Sequence, residues 1–315
     1  MEYDKMKILI AVPALNEENN VTVFYQAVQK EAARIHDIEL HIIFIDDGST
    51  DNTLAEIKQL CLTDSKIHYI SFSRNFGKEA AIYAGLEYAS EENYDYVIIS
   101  DIDLQDPPSL IPEMIAEIIT GEYDCIAARR VTRKGEPVIR SFFARQFYSV
   151  IRKLCEIDIA DGARDFRIMT IQMARSLLSL KEKNRFSKGL FVWIGYKTKY
   201  LEYENIKRKS GETKWSFWKL CTYAIDGIIA FTTVPLYIAA ICGILFCFIS
   251  FLIIIYIIIK TLVFGDPVAG WPSTICIILM LGGIQLFSIG ILGLYLSKTY
   301  IETKQRPLFI IREKK

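Results

Sequence analysis

The chain has 315 residues, with 37 basic and 37 acidic side chains and a formal net charge of zero. That length allows one to three domains, and the balanced charge gives no reason to expect a nucleic-acid partner. The seven cysteines show no metal-binding spacing and fit reduced thiols, which excludes a cysteine-built metal cluster.

The first 25 residues have too short an apolar stretch, interrupted by acids, for a signal peptide. From there strand and helix signals alternate. "KILIAVPA" predicts a strand and "NEENNVTVFYQAVQKEAARI" a helix. "ELHIIFIDDGS" predicts a strand ending in acids, then "TDNTLAEIKQLCL" a helix capped by Ser49 or Thr50. "KIHYISFS" and "GKEAAIYAGLEYAS" repeat the pair, and "YDYVIISDID" is a fourth strand. "DPPSLIPEMIAEII" reads as an N-cap at Asp106, a proline at the first helical position and a helix; "YDCIAARR" is a further strand. This rhythm predicts an α/β fold, a mostly parallel sheet with helices on both faces. Ligands of such sheets bind at the carboxyl ends of the strands. Three of those ends carry polar tails: "PALNEE", "DDGSTD" and "DIDLQD".

The third tail is the densest in acids. If the strand runs on past Ser100, Asp101, Asp103 and Gln105 share one face. Carboxylates held close repel unless a cation or proton lies between them. Oxygen ligands suit a hard divalent ion, Mg²⁺ or Mn²⁺. The alternative is a solvated, acid-rich turn. Nucleotide motifs of other classes are missing: no GxxxxGK[ST] occurs, and no GxGxxG follows the first strand.

Beyond about residue 220 the composition changes. Residues 234–259 and 271–297 carry no charge, and each run exceeds the roughly 20 residues that cross a bilayer core. Lys207, Arg208, Lys209, Lys214 and Lys219 precede the first run, and Lys298, Lys304, Arg306, Arg312, Lys314 and Lys315 follow the second. The positive-inside rule puts both termini in the cytoplasm, with the working part of the chain. Trp215, Phe217, Trp218 and Tyr223 lie among lysines before the first run, a pattern suited to an interfacial helix. The second run holds Gly283, Gly290 and Gly293 roughly on one helical face, which predicts a homo-oligomer, a dimer or tetramer, packed through it.

In order, "VPALNEE", "IDDGSTDNT", "RNFGKEAAIYAGL", "DIDLQDPP", "DGARDFRIMT" and "RKSGETKWSFWKL" resemble the family 2 glycosyltransferases of GT-A fold. Within that family the chain resembles the polyprenyl-phosphate sugar synthases, which include dolichol-phosphate mannose synthase and the bacterial undecaprenyl-phosphate glycosyltransferases. The resemblance spans residue 7 to about residue 232, and the two apolar runs match the bacterial branch. It departs in "DID", where "DAD" is frequent, and in the Ala163-Arg164 lead before "DFR". The resemblance implies a GT-A domain at 1–206, a basic and aromatic juxtamembrane segment at 207–233, two transmembrane helices at 234–297 and a basic tail at 298–315.

The resemblance also implies roles. Pro13, Ala14, Leu15 and Glu17 line the nucleobase and ribose pocket, and Asp46 contacts base or ribose, whereas Asp47 stabilises the "GSTD" turn. Lys78 reaches the donor, and Asp101, Asp103 and Gln105 hold Mg²⁺ or Mn²⁺ against its diphosphate, with Ile102 between the acids in the donor site. Arg129, Arg140 and Arg208 hold the acceptor phosphate. Asp165 acts as a base or orients the sugar, or else pairs with Arg167. The implied reaction is inverting transfer of one sugar from a nucleotide sugar, UDP-glucose first, to a polyprenyl phosphate at the membrane; UDP-GlcNAc, UDP-galactose and GDP-mannose are the alternative donors. A lipid monophosphate is mostly ionised at neutral pH, so the site needs cations more than a base. A processive polysaccharide synthase should show QxxRW, and the comparable stretch here is "NRFSKGLFVWIGYK". A non-enzymatic nucleotide-sugar sensor would not need the intact acids and basic zone.

Overall fold

The structure, a computed structural model, describes residues 5–35, 37–131, 160, 162–204, 229, 232–264 and 270–315. The elements in chain order are β1 (Met6–Ala14), α1 (Val21–Ala32), β2 (Ile38–Asp46), α2 (Thr53–Thr63), β3 (Ile67–Phe72), α3 (Lys78–Glu91) and β4 (Tyr96–Ile99). A single 3₁₀ turn (Pro108–Leu110) leads into α4 (Ile111–Ile119). Next come β5 (Cys125–Arg130), β6 (Ala163–Thr170), α5 (Ile171–Ser179), α6 (Ser187–Trp193) and β7 (Thr198–Tyr203). The long helices α7 (Val234–Phe264) and α8 (Trp271–Thr303) are followed by β8 (Ile311–Lys314).

All eight strands form one sheet, in the order β7-β5-β6-β4-β1-β2-β3-β8. Strands β1 to β4 are mutually parallel, and β5 and β7 run the same way; β6 and β8 run against them. The centre is apolar on both faces. Ile8, Leu9, Ile10, Ala11 and Val12 of β1 are each 0% exposed, which is why these runs do not alternate with polar residues. Phe24 of α1 meets Phe44 of β2 edge to face, and Met114 and Ile118 of α4 complete the packing of that face.

Three sequence readings change here. Strand β4 stops at Ile99, so Asp101, Asp103 and Gln105 lie on a turn. The turn forms because Asp103 Oδ1 accepts the Gln105 amide at 3.1 Å and Leu104 takes a left-handed φ of 55°. Asp106 caps no helix: Pro107 precedes the 3₁₀ turn, and the Asp106 carboxylate is buried elsewhere. The N-cap of α2 is Asn52, not Ser49 or Thr50, because those two face the β1 loop.

The chain divides into two compact units, residues 1–224 with Arg306–Lys315, and Ile225–Gln305. The expected basic tail thus ends as part of the sheet. Strand β8 pairs antiparallel with β3, Tyr69 and Lys315 exchange backbone bonds of 3.2 and 2.9 Å, and the Ser73 amide donates to the Ile310 carbonyl at 2.9 Å. Phe309 stacks on Phe72 at 4.7 Å, and Lys58 meets Glu313 at 2.7 Å. The strand covers an edge that would otherwise offer unpaired amides to other chains.

In the second unit, α7 and α8 have 31 and 33 residues. Segments Val234–Ile253 and Met280–Thr303 are long and apolar enough to cross a membrane, with mean hydropathies of 2.7 and 1.6. Their large side chains face outward, as with Ile244 at 71% and Leu286 at 72% exposure. Such a surface is stable in lipid and not in water. The Tyr295 hydroxyl donates to the Thr232 carbonyl at 2.6 Å. A Cβ placed on Gly283, Gly290 or Gly293 would meet no described atom within 4 Å, so among the described residues nothing packs closely on that face.

Deleting residues 306–315 should therefore lower the Tm of the purified protein by about 5 °C or more, since each kcal/mol is worth about 2–4 °C in a domain of this size. Lys58→Ala, which removes only an exposed ion pair, should change it by less than about 2 °C. Thermal unfolding in detergent measures both, and an unchanged Tm after truncation would show that β8 contributes nothing.

Candidate active site

The site is built where β1, β2, β3, β4 and β5 end and β6 begins. The first layer laces two loops together. The Asn16 amide donates to Ser49 Oγ at 3.0 Å, the Thr50 amide to Asn16 Oδ1 at 2.8 Å, and the Glu17 amide to Thr53 Oγ1 at 2.7 Å. Pro13 and Ala14 end β1, Leu15 and Glu17 follow in this loop, and the Glu17 carboxylate accepts from Asn20 at 2.5 Å. These residues, expected to line the base and ribose pocket, lie at the carboxyl end of β1 and in the loop after it.

Two neighbouring acids, the last residue of β2 and the one after it, take different roles. Asp46 is 1% exposed and accepts from the Ser49 amide at 3.0 Å and from Ser71 Oγ at 2.7 Å. It is the residue that holds the "GS" turn, the part expected of Asp47. Asp47 reaches across to the loop after β3, accepting the Phe76 amide at 2.6 Å and the Gly77 amide at 2.9 Å. Burial raises its pKa above the ordinary value, and the two amide bonds pull the other way. Gly48, at φ 71°, lets the two loops touch: a Cβ there would lie 2.5 Å from the Arg74 carbonyl carbon.

The loop so held presents Lys78, the first residue of α3. Its Nζ lies 2.7 Å from Asp101 Oδ1 and 2.7 Å from Asp165 Oδ2. Register explains the convergence. Ile99 of β4 pairs with Arg167 of β6, and the strands are antiparallel, so two steps on Asp101 comes opposite Asp165. Burial works against the charge on Lys78, but the two carboxylates outweigh it and its pKa is raised. Burial likewise opposes the charge on Asp165, and Lys78 with Lys188 more than offsets it, holding that carboxyl well below the usual range. A carboxyl held low stays ionised and accepts protons poorly, so Asp165 is a weak candidate for a general base.

The expected pairing of Asp165 with Arg167 gives way to this contact. Arg167 instead stacks over the Phe191 ring at 3.6 Å and donates to the Arg164 carbonyl at 2.8 Å. Arg164 donates to Asp106 Oδ1 at 2.9 Å and to Gln105 Oε1 at 3.4 Å, while the Tyr203 hydroxyl also donates to Asp106. Burial raises the Asp106 pKa against the opposing pull of Arg164. This cluster, missed from the sequence, fixes the far side of the "DIDLQD" turn. Glu79 is also new, accepting from the Ser187 amide and hydroxyl and joining α3 to α6.

Ile102 is 4% exposed and packs into the core between the two acids. Arg129, the last residue but one of β5, forms a 3.5 Å ion pair with Glu202. Arg140 and Arg208, like the aromatic juxtamembrane segment, lie outside the described residues. Among the described residues no three His, Cys, Asp or Glu side chains form a group that could hold a metal ion by themselves. The donor chemistry still fits a hard divalent ion that completes its shell with ligand phosphates. Asp101 and Asp103 supply carboxylate oxygens, and in direct contact one ammonium, that of Lys78, serves both Asp101 and Asp165. Gln105 fits less well, because its side-chain oxygen faces the Arg164 guanidinium.

Replacing Asp47 by Ala leaves the half-buried Phe76 and Gly77 amides without their acceptor, at a cost of up to roughly 1–3 kcal/mol for each where water does not take its place. Because those amides position Lys78, Asp47→Ala should raise the KM for donor by about tenfold or more. Steady-state kinetics would test this, and unchanged KM would separate the loop from donor binding.

The family model for glycosyl transferase family 2 matches residues 9–178. The chain is 45% identical over 306 residues to a putative glycosyltransferase, CsbB, of Bacillus subtilis, covering 97% of this chain and 91% of that protein. It is 41% identical over 310 residues to the bactoprenol glucosyl transferase of Shigella phage SfV, covering 98% and 99% of the two chains. A solved glucosyl-3-phosphoglycerate synthase of Mycobacterium tuberculosis aligns at 17% identity with a TM-score of 0.46, over 72% of this chain and 78% of that one. With the family model matching more than half of the chain and relatives above 40% identity over nearly its full length, the chain belongs to glycosyl transferase family 2.

Proposed function

We propose that this enzyme transfers one glucose, with inversion, from UDP-glucose to a polyprenyl (undecaprenyl) monophosphate at the cytoplasmic face of a membrane. One observation carries the reading: the match to the phage bactoprenol glucosyl transferase runs over 98% of this chain, so it includes the two apolar helices as well as the sheet. A soluble acceptor would leave those helices without a purpose in the reaction.

In this reading the β1 and β2 loops receive the uridine, and Asp101 and Asp103 would hold a divalent ion, Mg²⁺ or Mn²⁺, whose chemistry when bound would be to neutralise charge on the departing diphosphate. The lipid phosphate oxygen attacks the anomeric carbon, the bond from that carbon to the diphosphate oxygen breaks, and UDP leaves with the electron pair. No proton has to move, because the acceptor is already an anion. This suits a site in which Asp165 is held ionised by Lys78. The acceptor phosphate is held by cations, with Arg129 at the end of β5 and Arg140 and Arg208 as its partners. Lys78 and the amino end of α3 face the diphosphate, where a helix N-terminus favours negative charge.

Radiolabelled UDP-glucose should label an organic-extractable lipid when the protein is supplied with undecaprenyl phosphate; UDP-GlcNAc, UDP-galactose and GDP-mannose should label it less. EDTA should abolish the transfer and Mg²⁺ or Mn²⁺ restore it, and Asp103→Asn should slow it by roughly two orders of magnitude. Full activity of Asp103→Asn in EDTA would remove the metal from the reading.

Arg140→Ala and Arg208→Ala should raise the KM for lipid phosphate by about tenfold, with little change in the KM for donor. If either raised only the donor KM, that arginine would belong to the diphosphate instead.

A further inference from the structure

Lys78 stands where helix stability does not explain it. It opens α3, and a cation at a helix N-terminus opposes the helix dipole. Its side chain, 43% exposed, is nevertheless held at 2.7 Å from each of two acids, Asp101 on the turn after β4 and Asp165 on β6. The backbone before it is fixed by the two amide bonds to Asp47. Asp101 is one of those acids, and it is also the residue given to the divalent ion. An ion bound through Asp101 meets a carboxylate that already holds an ammonium. Two cations on one carboxylate repel each other, and the protein alone, among its described residues, offers no three-carboxylate group to overcome this. A nucleoside diphosphate changes the balance: it brings oxygens for the ion and negative charge for the lysine together.

We infer that Lys78 competes with the divalent ion for Asp101 and thereby makes metal binding depend on the nucleotide. Without nucleotide the ammonium keeps the ion's affinity low. With nucleotide, Lys78 turns to the phosphates and leaves Asp101 to the ion, so the two ligands bind as a pair. By linkage the same factor by which UDP tightens the ion must apply to the ion's effect on UDP. Asp165 serves as the second holder of Lys78, keeping the ammonium within reach as it changes partners. The inference rests on Asp101 being an ion ligand, as proposed above.

The test is calorimetric titration of the full chain in detergent with Mn²⁺, alone and with saturating UDP. In the wild type, UDP should tighten Mn²⁺ binding by about tenfold or more. Lys78→Met should bind Mn²⁺ alone about tenfold more tightly than wild type, and UDP should add about threefold or less. Lys78→Arg keeps a cation at the site and should behave as wild type, which also shows that the loop tolerates substitution. Equal Mn²⁺ affinity in wild type and Lys78→Met, without UDP, overturns the competition while leaving the metal reading intact. If neither protein binds Mn²⁺ even with UDP, the metal assignment fails and the competition with it.

Discussion

Asp101 and Asp165 face each other across two antiparallel strands, and the site is organised around keeping them there. A like-charged pair at that distance needs a cation, and Lys78 provides it from a third element. That lysine is only as well placed as its loop. The loop depends on Asp47, and the approach of Asp47 depends on Gly48 having no side chain. Three residues before Phe76, Ser73 is tied to Ile310 next to β8. A chain of ordinary contacts thus runs from the sheet edge to the carboxylates. On the other side, Arg164 and Tyr203 hold Asp106 and fix the end of the acid-rich turn.

Charge explains why these supports are backbone amides, hydroxyls and a guanidinium. Asp46, Asp47 and Asp106 are each no more than 3% exposed. Buried carboxylates of that kind persist only when donors surround them. Each donor comes from a different segment: Ser71 from β3, Phe76 and Gly77 from the loop, Arg164 from β6, Tyr203 from β7. The buried acids therefore act as pins between segments, and the more exposed Asp101 and Asp103 remain for ligand chemistry.

The sequence was legible where local patterns carry the information. The apolar runs of β1 to β5 and the helices between them announce themselves, because a strand buried on both faces is continuous in hydrophobic residues. The acids of "DIDLQD" were legible as a site but not in shape, since a side-chain bond from Asp103 to the Gln105 amide turns the chain after Ile99. Strand β6 hid because it carries Arg164, Asp165 and Arg167, whose charges are answered by partners far away in sequence. The exchange of roles between Asp46 and Asp47 was invisible for the same reason: their partners lie on β3 and in the loop after it. What tells neighbouring identical residues apart is which way each points, and alternation along β2 sends one to the turn and the other to the loop.

Strand β8 was the least legible element, and its position bears on how the helices are used. "IREK" has charge at three of four positions and would not pass as a strand alone. It pairs because the edge of β3 offers a fixed ladder, with Ile70 set against Lys314 across 244 residues of chain. Residues 1–224 and Arg306–Lys315 thus form one unit on either side of the helix pair. Segments that share a sheet cannot lie on opposite faces of a membrane. Any crossing between them must be even in number, and two helices of 31 and 33 residues satisfy that condition. In sequence, the two long apolar helices are thus an insertion between β7 and β8, the strands of one sheet.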